Sequence, residues 1–118
     1  MQGALEFIRY DMENLDHEEL RILCLDTKHY LIAEETLYKG TINSSNIRVA
    51  EIFRKPLQLG AACFVLVHNH PSGDPTPSAA DIITTRNVME AGKTMELPML
   101  DHIIIGRGEY ISVKNYLD

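Results

Sequence analysis

Two histidines separated by a single residue, His68 and His70, are the side chains of this sequence best suited to bind a metal ion. They follow an apolar run, 61–67, that has the length and the β-branched content of a buried central strand. Because residues two apart on a strand point the same way, the two imidazoles can converge on one point. Paired neutral imidazoles at the end of a sheet strand are a natural beginning for a zinc site.

A third ligand is offered by Asp81, which follows a loop rich in proline. Three prolines and a glycine exclude a helix in that loop, and Ser78 is predicted to begin the next helix, so Asp81 falls in its first turn. The loop is long enough to bring this turn back over the end of the strand. Two histidines and one aspartate leave a fourth tetrahedral position for water, which is typical of a catalytic zinc site.

Simpler interpretations of the same residues remain open. Paired histidines in a loop are common in proteins that bind no metal there. Ser78 and Asp81 also make a good helix start, because the serine can accept from a first-turn amide and the acid lies near the positive helix end. The capping and ligand roles do not exclude each other. For His102, on a later predicted strand, a hydrogen-bonded structural role is favoured over the support of a metal ligand.

The elements that must position these residues are predicted to follow one another as helix, two strands, helix, strand, helix, two strands. The first helix follows from the helical spacing of Leu5, Ile8, Met12 and Leu15. Pro56 is expected to limit or kink the second helix, and Gly92 is a possible end of the third. Strands are predicted at 20–25, 30–42, 61–67, 98–105 and 110–113. This order indicates an α/β sandwich with a mixed sheet.

The composition is that of one globular domain. The 118 residues are 45% hydrophobic and 24% charged, proportions that exclude a disordered tail, a collagen-like chain and a disulfide scaffold. The longest apolar run is far shorter than the ~20 residues of a membrane span, and the first twelve residues lack the features of a signal peptide. Cys24 and Cys63 both lie in apolar surroundings and are predicted to be reduced core thiols, which suits a cytoplasmic protein.

The motif residues resemble those of a known enzyme family. His68-x-His70, a seven-residue gap and then Ser78-x-x-Asp81 match the JAMM/MPN metalloprotease motif, H-x-H-x(7)-S-x-x-D. The longer string HNHPSGDPTPS at 68–78 resembles the RadC-like branch of that family, as does DHIIIG at 101–106. The likeness covers nearly the whole chain.

The resemblance implies a three-layer α/β/α sandwich with a mixed sheet, the cytidine-deaminase-like (JAB/MPN) fold, formed by a single domain over 1–118. It implies Zn²⁺ held by His68, His70 and Asp81, with Ser78 helping to hold the reacting oxygen. The implied function is that of a zinc-dependent hydrolase of peptide or isopeptide bonds, with metal-bound water as the nucleophile. Related proteins carry a helical region before this domain, so we expect the chain to be the C-terminal fragment of a longer protein.

An upstream glutamate is implied as the general acid/base, and several residues could supply it. A Glu-x-aromatic pair precedes the first strand in RadC-like sequences, which favours Glu18, although Leu20 stands where phenylalanine is common. Glu19 fits the spacing of the wider family about as well. Glu34 and Glu35, on the second predicted strand, are outside candidates. We choose Glu18 for the catalytic role.

The alternative function is a non-catalytic MPN-like module in a DNA-repair or stress-response complex. The family's DNA-repair label accompanies the resemblance, but no residue here supports it, and the intact metal motif weighs against a mere scaffold. A nucleoside deaminase would also need Pro-Cys-x-x-Cys, and that motif is absent. The net charge of −6 argues against direct nucleic-acid binding by this domain. We expect a peptide or protein substrate and no membrane partner, with a homo-oligomer possible.

Overall fold

The computed structural model describes residues 2–43 and 45–117, with the exception of the side chain of Gln2. The helices are α1 (Gln2–Met12), α2 (Val49–Leu59) and α3 (Ala79–Met95). The strands are β1 (Glu19–Leu25), β2 (Leu31–Lys39), β3 (Cys63–Asn69), β4 (Met99–Ile105) and β5 (Tyr110–Ser112), and a short 3-10 helix follows at Val113–Tyr116. The predicted order of helices and strands is confirmed.

The five strands form one mixed sheet in the order β2-β1-β3-β4-β5. Strands β3 and β4 are parallel, while the other three neighbouring pairs are antiparallel. The central strand β3 is buried along its whole length, as its apolar run predicts, but it extends two residues beyond that run to Asn69. Helix α3 connects β3 to β4 and therefore begins near the end of β3 that carries the histidines.

Helices cover both faces of the sheet, which confirms the three-layer sandwich. On one face the buried side of α1 packs against alternate residues of β1, β3 and β4, including Leu23, Val65 and Val67. On the other face α2 and α3 pack against the intervening residues, including Ile22, Phe64 and Leu66. Since side chains alternate along a strand, His68 shares the α3 side of the sheet with Phe64 and Leu66.

One helix contains a buried proline, and another ends beyond its predicted last residue. Pro56 is buried inside α2, which continues to Leu59 and ends at Gly60 with a left-handed backbone. The predicted end of α3 at Gly92 is wrong, because the helix runs on to Met95 and Glu96 takes the left-handed position after it. Gly92 serves packing instead: a Cβ atom there would meet the carbonyl oxygen of Leu97 at 2.7 Å.

Both cysteines are buried and free in the described part of the chain, as predicted. Burial raises the pKa of the Cys24 thiol to about 11, so the thiol stays protonated and unreactive at neutral pH. Within the described residues, the search for a helix long and apolar enough to cross a membrane finds none.

Candidate metal centre

The carboxyl end of β3 carries the two histidines. His68 is 2% exposed and lies opposite Leu20 of β1, while His70 is one residue beyond the strand and donates its backbone N–H to Ile105 of β4. Their rings lie 5.0 Å apart between centroids and are nearly perpendicular. One ligand atom each from Glu18, His68 and His70 lie within 4.8 Å of one another, so these three residues could hold a metal ion.

The Asp81 carboxylate lies between the two imidazoles. Its Oδ1 is 3.2 Å from His68 Nδ1, and its Oδ2 is 3.1 Å from His70 Nε2. Burial alone would raise the pKa of Asp81, but the contacts with both histidines and a backbone N–H outweigh it and hold this pKa far below its ordinary value. The same contact with Asp81 raises the pKa of His70. Asp81 is therefore an ionised group at neutral pH.

The start of α3 holds Asp81 in this place. Ser78 is the N-cap: its Oγ accepts from the N–H of Asp81 at 3.0 Å, and Asp81 Oδ2 accepts from the N–H of Ser78 at 2.8 Å. This reciprocal pair is a capping box, so the capping interpretation of the two residues is confirmed. The cap does not remove Asp81 from the histidines, because the same carboxylate contacts all of these groups.

The adjacent residues Glu18 and Glu19, at the start of β1, contact different side chains. Glu18 Oε1 lies 3.4 Å from His68 Nε2, and Glu18 Oε2 accepts from the N–H of Ile42 at 2.9 Å. Glu19 is buried and contacts Arg21 at 2.8 Å and His17 at 2.8 Å instead. These contacts lower the pKa of Glu19 against the effect of burial.

The remaining glutamate candidates lie elsewhere. Glu34 pairs with Arg21 at 3.1 Å, and Glu35 lies 3.8 Å from Lys55. Neither belongs to the group of ligand atoms around the histidines in the described residues. Of the four glutamates considered from the sequence, the structure brings Glu18 to the candidate centre.

His102 lies behind His68 in the interior. Its Nδ1 is 2.7 Å from the hydroxyl of Thr85, and its ring stacks on that of His68 at 6.0 Å between centroids. Thr85 donates to the backbone oxygen of Asp81, so His102 Nδ1 must donate to the threonine oxygen. Complete burial, together with the nearby His68, lowers the pKa of His102 to about 3. His102 is therefore neutral, and its hydrogen bond with Thr85 agrees with the role favoured from the sequence.

Asn69, between the two histidines, was not singled out from the sequence. Its side chain is 1% exposed. The side-chain oxygen accepts from the N–H of Glu19 at 2.7 Å, and the side-chain nitrogen donates to the carbonyl of His17 at 2.9 Å. The sequence feature that could have indicated its role is a single amide side chain between two candidate metal ligands, at the end of an apolar strand.

An open cleft of about 260 Å³ lies beside the candidate centre. Glu18 is part of its wall, together with Asp16, His17, Gly40, Thr41 and Pro71. A larger groove of about 640 Å³ runs along α3 near Leu117, but it is lined by none of Glu18, His68, His70 and Asp81. Of the residues that could hold a metal ion, Glu18 lines the smaller cleft.

The protein is an α/β/α sandwich with a mixed sheet. A glutamate and two histidines meet at the end of its central strand, so this α/β domain could hold a metal ion. The model of the RadC-like JAB domain family matches residues 1–117, and the chain belongs to this family. The family resemblance of the motif residues is thereby confirmed.

The chain is similar to several curated proteins, each named UPF0758 protein. It is 43% identical over 111 residues to the one from Roseiflexus sp., which covers 94% of this chain and 48% of that protein. The relative from Desulforamulus reducens is 46% identical over 105 residues, covering 89% and 46%. The relative from Staphylococcus carnosus is 39% identical over 112 residues, covering 95% and 50%. The chain thus spans about half the length of these relatives.

Proposed function

We propose that this domain is a zinc-dependent hydrolase of peptide or isopeptide bonds. The observation that carries the proposal is the convergence of Glu18, His68 and His70 within ligand distance of one another, with the ionised Asp81 in contact with both histidines. Membership of the RadC-like JAB domain family supports a metal-dependent hydrolase in general. The zinc, the peptide bond and the role of each residue are our proposals.

The donor atoms suit a cation. His70 Nδ1 lies 3.0 Å from the carbonyl oxygen of Asp74, to which it must donate, so the lone pair of a neutral His70 is on Nε2. That lone pair faces the Asp81 carboxylate at 3.1 Å, a contact that needs a proton or a metal ion to be favourable. His68 Nε2 is buried and has no hydrogen-bond partner among the described residues. Imidazole nitrogens with a carboxylate oxygen are ligands typical of zinc.

We assign His68, His70 and Asp81 as the residues that would hold the ion. When bound, zinc lowers the pKa of a coordinated water molecule towards 7 and polarises a substrate carbonyl. The capping box fixes the Asp81 side chain by a bond from the backbone of Ser78, although Asp81 lies outside the group of ligand atoms formed by Glu18, His68 and His70 in the described residues.

Glu18 is the proposed general acid/base. Its Oε2 is held by the N–H of Ile42, which leaves Oε1 directed towards His68, and Glu18 is part of the wall of the cleft. A carboxylate in that place can take a proton from the attacking water and pass it to the leaving nitrogen. The hydroxyl of Ser78 accepts from the N–H of Asp81, and we propose that its own hydrogen donates to the oxygen on which negative charge develops.

The same proposal includes a substrate class and a cellular location. We propose that the substrate is a peptide or a protein, and that the domain works in the cytoplasm, which the free buried thiols support. The net charge of −6 supports a partner other than a nucleic-acid backbone.

Metal analysis of the purified protein tests the zinc site. We expect one zinc per chain, and His68→Ala should abolish stoichiometric zinc while the fold persists by circular dichroism. A full equivalent of zinc on the His68→Ala protein would disprove the site. His29→Ala is the matched control, because His29 is exposed and lies in a turn outside the metal-binding group.

Digestion of a peptide library, with and without a chelator, tests the activity. We expect cleavage that the chelator stops and that added zinc restores. The non-catalytic alternative predicts bound zinc without any cleavage, so zinc content and cleavage together separate the two functions.

A further inference from the structure

Asn69 joins the start of β1 to the segment that bears the histidines. By the antiparallel register of β1 and β3, in which Leu20 lies opposite His68, the next residues to face each other are Glu19 and Asn69. The strand ladder stops before this pair. In its place the Asn69 side chain accepts from the N–H of Glu19 at 2.7 Å and donates to the carbonyl of His17 at 2.9 Å.

The two groups that Asn69 binds belong to the two peptide units on either side of Glu18. The His17 carbonyl is part of the peptide unit before Glu18, and the Glu19 N–H is part of the one after it. Fixing both units restricts the backbone dihedral angles of Glu18, which decide where its side chain points. On the other side of β1, the backbone oxygen of Glu18 accepts from Gly40 at 2.9 Å, so this residue is held from both neighbouring strands.

The amide is the side chain that suits this task. It supplies one acceptor and one donor at the same reach, whereas aspartate has no donor when ionised and would place its charge against the His17 carbonyl. The side chain is almost fully buried, so truncating it leaves a backbone N–H and a backbone carbonyl without their partner.

We propose that Asn69 is a positioning residue that holds Glu18 against the metal-binding histidines, so that the segment bearing His68 and His70 also sets the place of the acid/base. This inference rests on the proposed function of Glu18. It assigns to Asn69 no contact with metal or substrate.

Hydrogen exchange of the zinc-free protein tests the positioning without any use of activity. The Ile42 N–H donates to Glu18 Oε2, so its protection reports whether the Glu18 side chain is in place. In Asn69→Ala we expect faster exchange at both the Glu19 and the Ile42 amides. Glu18→Ala should release the Ile42 amide and leave the Glu19 amide protected. If the Ile42 amide keeps its protection in Asn69→Ala, Glu18 stays in place without Asn69 and the proposal is overturned.

Kinetics of the zinc-loaded protein supply the second readout. Asn69→Ala should retain stoichiometric zinc and lower kcat by about 10- to 100-fold with little change in KM, since misplacing a catalytic group by about 1 Å costs this much. In a Glu18→Gln background the same substitution should lower kcat no further, because both changes act through one group. An equal loss in both backgrounds, or a loss of zinc, would overturn the proposal. If the wild-type protein shows no cleavage, the proposed function fails, and the exchange experiment still decides the role of Asn69.

Two further variants complete the design. Ser112→Ala is the matched control, because it also removes a side-chain hydrogen bond of a part-buried residue, the one that the Ser112 hydroxyl on the edge strand β5 shares between the two carboxylate oxygens of Asp101. It should leave the Ile42 amide protected. Should Asn69→Ala not fold, Asn69→Asp keeps the acceptor for Glu19 and loses the donor to His17. We expect partial release of the Ile42 amide in that variant, and full protection there would contradict the inference.

Discussion

Two carboxylates of the candidate centre, Asp81 and Glu18, are held in place by different kinds of contact. Asp81 is fixed by a capping box with Ser78, three residues away, at the start of a helix. Glu18 is fixed by partners far along the chain: its side chain binds Ile42, and the peptide units around it bind Asn69. The first arrangement is local and the second depends on the packing of three strands.

This contrast decides how the two residues respond to change. A local cap persists wherever the helix begins, so Asp81 is placed by the turn that contains it. Glu18 lies before the first residue of β1, where strand pairing has just begun, and no nearby residue fixes its backbone alone. We therefore expect the position of Asp81 to tolerate changes in the sheet better than that of Glu18 does.

The largest expected effect separates Glu18 from its neighbour. Glu18→Gln should leave zinc bound and lower turnover by about 10²- to 10⁴-fold, the usual contribution of a positioned acid/base. Glu19→Gln should leave turnover near that of the wild type, because Glu19 contacts Arg21 and His17 and not the histidine pair. Zinc content and cleavage rate are measured on the same samples. Loss of zinc from Glu18→Gln would show that Glu18 is a ligand, and an inactive Glu19→Gln would move the catalytic role to Glu19.

A somewhat smaller effect is expected at the helix start. Ser78→Gly removes the hydroxyl but keeps a residue that is tolerated at an N-cap, at a cost of only a few tenths of a kcal/mol. Turnover should nevertheless fall by about 10²- to 10³-fold, as it does when one donor to a developing oxyanion is removed. Thermal unfolding and cleavage rates together check this prediction. Unchanged turnover would leave Ser78 with its cap alone.

The third effect concerns the strength of the metal site. Asp81→Asn preserves the shape of the side chain but replaces its charged oxygens with a neutral amide, which is a poor zinc donor. We expect zinc affinity to weaken at least ~10-fold, measured by competition with a chelating dye. Ser78→Ala is the control: losing the cap costs about 1 kcal/mol of stability but removes no proposed ligand. Equal zinc affinities of Asp81→Asn and wild type would leave Asp81 as a capping residue.

The same contrast explains what the sequence could and could not predict. The N-cap at Ser78 and the burial of β3 follow from local spacing and composition, and both are found. The predicted end of α3 at Gly92 is wrong, because the need for a glycine there comes from the backbone of residues 97–99, which fold back against the helix. From the sequence alone, a glycine that ends a helix cannot be distinguished from a glycine required for close packing.

The choice between Glu18 and Glu19 is the clearest case of information that a single sequence lacks. Both residues stand at the start of the same strand, and which of them faces His68 depends on the register between β1 and β3. Shifting that register by one residue would exchange the two side chains. The role of Asn69 is equally hidden in the sequence, since its partners at 17 and 19 are brought near by the sheet alone.

The distance along the chain between Asn69 and its partners bears on the order of events in folding. His68, His70 and Asp81 lie within one short stretch, whereas the Asn69 contacts close a loop of 50 residues. Closing the longer loop costs about 1 kcal/mol more in chain entropy and makes β1–β3 pairing a non-local step. We expect a refolding chain to regain zinc binding before it regains cleavage. The delay between the two should depend on how fast the β1–β2 hairpin docks onto β3.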